Sequence, residues 1–141
     1  QLAADEPSIH FLGFVKEIHG IYRSSDVALV PTRFPGESFP LCLIQSMQVG
    51  VPSVATDIGE IKAMIQPDGE KNAGLIIPHL RDDDAFIAAI SKQMEAILDP
   101  ALRLELSEGA RQLAKDFDID ALAHRYLELY RQVIARRAQR R

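Results

Sequence analysis

Apolar residues in the first half of the chain occur in short runs separated by polar turns. Four of these runs are nearly continuous, which is typical of strands buried on both faces of a sheet. Between the runs, apolar residues fall three or four positions apart, as on one face of a helix. The pattern predicts strands over residues 9–15, 27–30, 51–55 and 73–78.

The segments between these runs are predicted helices over residues 18–22, from Ser38 or Phe39 to Gly50, and over 59–65. Pro40 falls in the first turn of the second helix, where its missing N–H has no consequence. Gly50 ends that helix, because glycine readily adopts the left-handed conformation that follows a helix. Strands that alternate with helices imply right-handed crossovers and a parallel sheet.

After residue 78 the pattern is helical only. Acidic residues at 82–84 begin one helix, Asp99-Pro100 ends it and begins another, and Asp118 is the predicted N-cap of the last. The fold class is therefore α/β, with a parallel Rossmann-like sheet followed by C-terminal helices. The predicted apolar faces of the three helices contain Phe86, Ile87, Ile90, Met94 and Ile97, then Leu102, Leu106, Ala110 and Leu113, then Leu122, Tyr126, Leu129, Tyr130 and Val133.

A carboxylate, Glu37, lies where the second strand gives way to a helix. Ligands of open α/β sheets bind at the carboxyl ends of the strands, and a helix N-terminus there suits a phosphate. A carboxylate beside a phosphate is unfavourable unless it faces hydrogen-bond donors such as sugar hydroxyls. The alternative is that Glu37 only stabilises the helix dipole.

The composition of the chain restricts the classes of function and the cellular compartment that fit it. The 141 residues suit one domain, and the net charge of −4 argues against nucleic acid as a partner. The single cysteine, Cys42, forms no internal disulfide and favours a reducing, cytoplasmic compartment. Neither a long apolar span nor a signal-peptide pattern is present, and no His, Cys or carboxylate residues show metal-ligand spacing.

Nearly the whole chain resembles a known family. The residues that carry the resemblance are Pro31-Thr32, Glu37, Phe39-Pro40-Leu41, Gln45 and the run from Ser46 to Ala55, with Phe11-Leu12-Gly13, Asp26 to Val30 and Thr56 to Gly59 as flanking matches. Together they are similar to the signature of the group 1 (family 4) retaining glycosyltransferases of the GT-B fold.

The resemblance implies that residues 1–141 are the later part of a donor-binding C-terminal domain, truncated at its N-terminal side. The expected reaction transfers a sugar from a nucleoside diphosphate sugar to an acceptor with retention, without a cofactor or a metal. The implied partners are that donor and an upstream acceptor-binding domain. Because the family's basic pair lies ahead of Phe11, the isolated chain is expected to be inactive.

By the same resemblance Glu37 is catalytic and lies beside the donor sugar. Gln45, where the family has a second Glu, would contact the ribose with a neutral and weaker hydrogen bond. Backbone groups at Ser38, Phe39 and Leu41 would contact sugar and phosphate oxygens, and Val15 would lie near the base. Pro40 replaces a family glycine and offers no N–H, and Glu60 aligns with no family carboxylate.

Two other functions stay open. Gln45 and Pro40 also fit a non-catalytic nucleotide-sugar-binding or scaffold domain, and a nucleotide-sugar epimerase shares the two-domain layout. The basic end of the chain, residues 136–141, is either a solvated tail or a peripheral contact with anionic lipid.

Overall fold

A computed structural model describes residues 6–138 of the chain. The elements alternate through the first half and are helical thereafter. Their bounds are α1 (Ile18–Arg23), β1 (Ala28–Val30), α2 (Leu41–Gln48), β2 (Ser53–Thr56), α3 (Ile61–Ile65), β3 (Gly74–Ile77), α4 (Asp83–Ala96), α5 (Pro100–Leu113), a 3₁₀ helix (Ala114–Phe117) and α6 (Ile119–Ala138).

The three strands form one parallel sheet in the order β1-β2-β3. Ser53 pairs with Ala28 on one side and with Gly74 on the other, so β2 is the central strand. All four residues of β2 are buried. This arrangement confirms the predicted α/β class and its parallel, Rossmann-like sheet.

Helices cover both faces of β2. Ala55 packs in a cluster with Leu43 of α2, Ile61 of α3 and Leu113 of α5. Val54 points the opposite way, as strand geometry requires, and packs with residues from β3, α4 and α5. A sheet covered on both faces explains why the strand sequences lack polar alternation.

The strand predicted over residues 9–15 is wrong. These residues form no strand, and Phe11 and Phe14 are 81% and 95% exposed. A strand forms only when its N–H and C=O groups pair with a neighbour, and within residues 6–138 no other segment pairs with this one. Val15, half-buried, therefore precedes α1 in irregular backbone rather than at a strand end.

The helix boundaries follow local signals. Asp82, Asp99 and Asp118 each accept a hydrogen bond from a backbone N–H of the helix that follows. Beyond α2, the N–H of Gly50 donates to Met47 and that of Val51 donates to Ser46, which is the Schellman pattern. Gly50 has a φ of 78°, as its predicted role requires.

Two helix predictions need correction. The N-cap of α2 is Pro40, not Ser38 or Phe39, because Pro40 is extended at ψ 120° and helical geometry starts at Leu41. Ile87 of α4 was assigned to a buried face but is 59% exposed. Phe86 and Ile97 fill the core instead, since only one stripe of α4 reaches the sheet.

The last helix buries none of its side chains. Its predicted apolar face exists, but every large apolar residue on it is at least 41% exposed. Of the basic end, Arg136 and Arg137 lie in the last turn of α6, whereas residues 139–141 fall outside the described residues.

Candidate functional site

The loop over residues 31–40 carries three of the six predicted site residues, and Arg33 ties it to the start of α4. One guanidinium nitrogen donates to Asp83 Oδ1 at 2.5 Å, and another donates to the carbonyls of Leu80 and Arg81 at 3.0 and 2.8 Å. The guanidinium carbon also lies 4.6 Å from the centre of the Phe86 ring. One side chain thus fixes the loop to the segment that follows β3.

A second anchor joins the loop to the turn between β2 and α3. The N–H of Glu60 donates to the carbonyl of Ser38 at 3.0 Å. Gly59 lies directly beneath with a φ of 57°, and a Cβ there would overlap the Glu37 carbonyl oxygen and the Ser38 backbone. The close approach of these two turns therefore requires glycine at position 59.

A third anchor is aromatic. The Phe39 ring meets the Phe117 ring edge-on, with centroids 5.6 Å apart and planes at 62°. Such edge-to-face pairs contribute about 0.5–1.5 kcal/mol beyond simple burial. Phe117 belongs to the 3₁₀ helix after α5, so three separate parts of the chain hold the loop.

These anchors leave the start of α2 free to bind. Within residues 6–138, the amides of Ser38, Phe39 and Leu41 donate to no acceptor. Only the amide of Leu41 belongs to the first turn of α2, where partial positive charge favours an anion, whereas the amides of Ser38 and Phe39 lie in the loop ahead of the N-cap. Pro40 interrupts the row, because it has no N–H.

Glu37 and Gln45 both lie close to Cys42. Burial raises the pKa of the Cys42 thiol, and the nearby carboxylate of Glu37 adds to the rise. Gln45 is three residues after Cys42 in α2, on the same side of the helix. The acid and the amide therefore flank the first turn of α2, and both are half-buried.

A groove of about 490 Å³ runs along β1 and ends at Cys42. Its walls come from α1, from β1 and from Pro31 and Thr32 at the carboxyl end of the strand. None of the predicted site residues is part of its wall, including Val15. At the carboxyl end of β2, the fully buried hydroxyl of Thr56 has no hydrogen-bond partner within residues 6–138.

Two negative findings apply to the described part of the chain. Residues 6–138 bring no three His, Cys, Asp or Glu side chains together in a way that suits a metal ion. No helix among them combines the length and the apolar character needed to cross a membrane.

Sequence reasoning missed Arg33, Gly59 and Phe117. Arg33 bonds to residues that come 47 to 50 positions later, and no local pattern announces such a pairing. Gly59 is predicted as the first residue of a helix and as part of the family motif, whereas α3 begins at Ile61. A glycine shortly after a buried strand is nevertheless a usable signal for close backbone approach.

Comparison with known proteins identifies the family. Residues 1–96 match the family model described as glycosyl transferases group 1. Over 130 residues the chain is 31% identical to an exopolysaccharide phosphotransferase from Streptomyces coelicolor, covering 92% of this chain and 13% of that protein. Over 116 residues it is 34% identical to a D-inositol 3-phosphate glycosyltransferase from Acidothermus cellulolyticus, covering 82% of this chain and 24% of that protein.

A solved structure agrees with these matches. Sucrose-phosphate synthase from Thermosynechococcus elongatus superposes with a TM-score of 0.73 at 28% identity, covering 89% of this chain and 30% of that one. The chain thus spans a third or less of the length of each of these three proteins. Because the family model matches residues 1–96, more than half of the sequence, the chain belongs to the group 1 glycosyl transferases.

Proposed function

We propose that this chain is the donor-binding half of a family 4 retaining glycosyltransferase that moves a hexosyl group from a nucleoside diphosphate sugar to an acceptor. One observation carries the proposal. The start of α2 presents amides with no acceptor among residues 6–138, next to the carboxylate of Glu37, on a loop held at three points. Family membership supports the transferase class.

Each group has a role in that reaction. The amides of Ser38, Phe39 and Leu41, with the dipole of α2, stabilise the diphosphate as it leaves. Glu37 accepts hydrogen bonds from the sugar hydroxyls, which compensates for its placement near the phosphates. Gln45 binds the ribose hydroxyls through its neutral amide. Val15, ahead of α1, contributes to the base contact.

The proposal includes a second, acceptor-binding domain ahead of this one. The domain and the basic pair expected ahead of Phe11 would complete the site. We therefore expect the 141-residue chain alone to show no turnover, and we place the whole protein in the cytoplasm, where Cys42 would stay reduced. Sugar transfer by the isolated chain would contradict this part of the proposal.

A donor panel tests the main claim. The whole protein, with its proposed acceptor-binding domain, is incubated with nucleoside diphosphate sugars and candidate acceptors, and NMR of the product reports whether the anomeric configuration is retained. Glu37→Gln should lower kcat/KM by about 100-fold, as loss of a transition-state contact does. The matched control is Glu60→Gln, an exposed glutamate at the turn opposite the loop, which should leave kcat/KM unchanged. Equal losses in the two variants, or none, would refute the role of Glu37.

Gln45 gives an independent test. Gln45→Glu restores a charged acceptor, so a nucleoside diphosphate should bind more tightly than to the unchanged protein. Calorimetric titration measures the difference. Identical affinities would remove Gln45 from the ribose site without affecting the assignment of Glu37.

A second candidate function rests on Pro40 and Gln45. Pro40 removes one amide from the row at the start of α2, and Gln45 lacks the family's charge, so a domain that binds the nucleotide sugar without turning it over also fits. Donor hydrolysis by the whole protein, including its proposed acceptor-binding domain, separates the two. Binding without any hydrolysis or transfer would favour the scaffold.

The exposed face of α6 also supports a peripheral contact with anionic lipid. Arg136 and Arg137 follow apolar residues that are open to solvent, and each basic residue near such a surface contributes about 1 kcal/mol. Liposome sedimentation of the full chain, with and without residues 136–141, measures it. Equal sedimentation would refute the contact.

A further inference from the structure

A second groove lies at the opposite end of the sheet. It has a volume of about 470 Å³ and is lined by residues just before β1 and β2, namely Ser25 and Asp26, and Val51 and Pro52. These are the amino ends of the strands, whereas the candidate donor site is at the carboxyl ends. The groove is therefore separate from the proposed donor site.

Arginines dominate the wall of this groove. Arg23 comes from the end of α1, and Arg103 and Arg111 come from α5. Asp26 is the single carboxylate among the lining residues, which leaves an excess of two positive charges (three minus one). The chain as a whole has a net charge of −4, so this local excess opposes the overall balance.

Within residues 6–138, these arginines make few ion pairs and hydrogen bonds. Arg103 lies 3.9 Å from Asp26 and makes one long hydrogen bond, 3.4 Å, to the carbonyl of Ile97. Arg111 donates to a neutral group, the hydroxyl of Ser107, at 2.9 Å. For Arg23 the described residues offer neither a hydrogen bond nor an ion pair. Three planar donors thus face one hollow with spare N–H groups.

The position of Arg111 is fixed in advance. The Ser107 hydroxyl that accepts from it donates in turn to the carbonyl of Gly50 at 2.7 Å. The guanidinium lies so close to Gly50 that a Cβ there would come within 2.5 to 2.8 Å of its atoms. An arginine held in this way loses little freedom when an anion binds, which favours binding.

Helix capping explains part of this arrangement, since Arg23 and Arg111 lie near the carboxyl ends of α1 and α2. Capping does not explain why Arg103 lines the same hollow. We propose that the groove is a binding site for the phosphate or diphosphate group of a small molecule, distinct from the donor site. Arginine forks bind such groups in a bidentate manner.

Calorimetric titration of the full chain with inorganic pyrophosphate tests the site. The double variant Arg103→Gln/Arg111→Gln should weaken binding about tenfold or more, since each lost charged hydrogen bond has a large effect. Arg23→Gln should weaken it several-fold, and because that exposed side chain makes no hydrogen bond or ion pair within residues 6–138, its loss should have little effect on folding. The matched control is Lys92→Gln/Arg131→Gln, which removes two exposed charges outside the groove. Equal weakening in control and groove variants, or no binding at all, would overturn the proposal.

Two further measurements separate this site from other anion sites. Pyrophosphate should shift the amide resonances of Gly50 and Ser107, and the double variant Arg103→Gln/Arg111→Gln should remove these shifts while leaving any at Phe39 and Leu41, which belong to the proposed donor site, unchanged. Shifts at Phe39 and Leu41 alone would overturn the groove while leaving the donor site intact. Sedimentation with phosphatidylcholine vesicles that contain phosphatidic acid distinguishes a lipid headgroup. If pyrophosphate binds and the protein does not sediment with the vesicles, the result supports a small soluble ligand. If the protein sediments through the groove arginines but does not bind pyrophosphate, the proposal of a small-molecule site is overturned.

Discussion

The loop over residues 31–40 and the last helix, α6, differ in what holds them in place. The loop has almost no regular hydrogen bonding, yet Arg33, the Ser38 carbonyl and Phe39 fix it through three distant parts of the chain. Helix α6 has full local hydrogen bonding and a good cap at Asp118, yet none of its side chains is buried. Regular structure and tertiary anchoring are therefore independent in this molecule.

The largest expected effect comes from removing an apolar side chain beneath the loop. Leu43 of α2 is fully buried, so Leu43→Ala should lower the free energy of unfolding by about 2–5 kcal/mol through lost burial and the cavity left behind. The matched change in α6 is Leu127→Ala, where the side chain is 51% exposed. It should stay within about 0.5 kcal/mol of the unchanged chain. Urea denaturation measures both, and equal losses would show that α6 is as well packed as α2.

Gly59 tests the backbone anchor. Gly59→Ala should cost about 2–4 kcal/mol, because left-handed strain and overlap with the Glu37 carbonyl act together. Gly69→Ala is the control, since Gly69 has a φ of 78° but no atom within 4 Å of the added Cβ. It should show strain alone, about 1 kcal/mol. If thermal unfolding gives one value for both variants, the contact between the two turns contributes nothing.

Arg33 tests the side-chain anchor. The side chains of Arg33 and Asp83 are 36% and 79% exposed, so Arg33→Gln should change the free energy of unfolding by less than about 1 kcal/mol. Donor affinity should nevertheless fall several-fold, because the loop would have to be ordered on binding. Lys71→Gln removes an exposed ion pair with Glu108, away from the loop, and should leave donor affinity unchanged. A similar loss in the two variants would rule out a positioning role for Arg33.

The smallest expected effect is on the reactivity of Cys42. Because burial raises the pKa of its thiol, less thiolate is present at neutral pH than in a free cysteine, and alkylation by iodoacetamide should be slow. The rate should keep rising at pH values where a free thiol has already reached its maximum. Glu37→Gln removes a nearby negative charge, so it should lower the thiol pKa and speed alkylation modestly. Glu60→Gln should not. An unchanged alkylation rate in Glu37→Gln would contradict the placement of the Glu37 carboxylate near Cys42 in the first turn of α2.

Features set by neighbouring residues were predictable from the sequence. The end of α2 at Gly50 and the caps at Asp82 and Asp118 each depend on bonds that span three to five positions. The parallel sheet followed from the alternation of apolar runs. The absence of a strand over residues 9–15 was not predictable in this way. A strand needs a partner, and the apolar pattern does not say whether one is present.

In the candidate site, too, features set by neighbouring residues were predictable and features set by distant contacts were not. The placement of Glu37 and Gln45 near the start of α2 follows from their spacing in the sequence. The partners of Arg33 and the contact between Phe39 and Phe117 join residues about 50 or more positions apart, so only the folded chain reveals them. The sequence prediction put the N-cap of α2 one or two residues before Pro40, because proline is common in the first turn of a helix.

The sheet ends at β1, whose outer edge is unpaired among residues 6–138. Backbone groups along such an edge accept any extended segment of suitable shape, native or foreign. At three residues the edge is short, which limits how firmly a foreign chain could attach. We therefore expect the 141-residue chain to self-associate weakly and reversibly through this edge at high concentration.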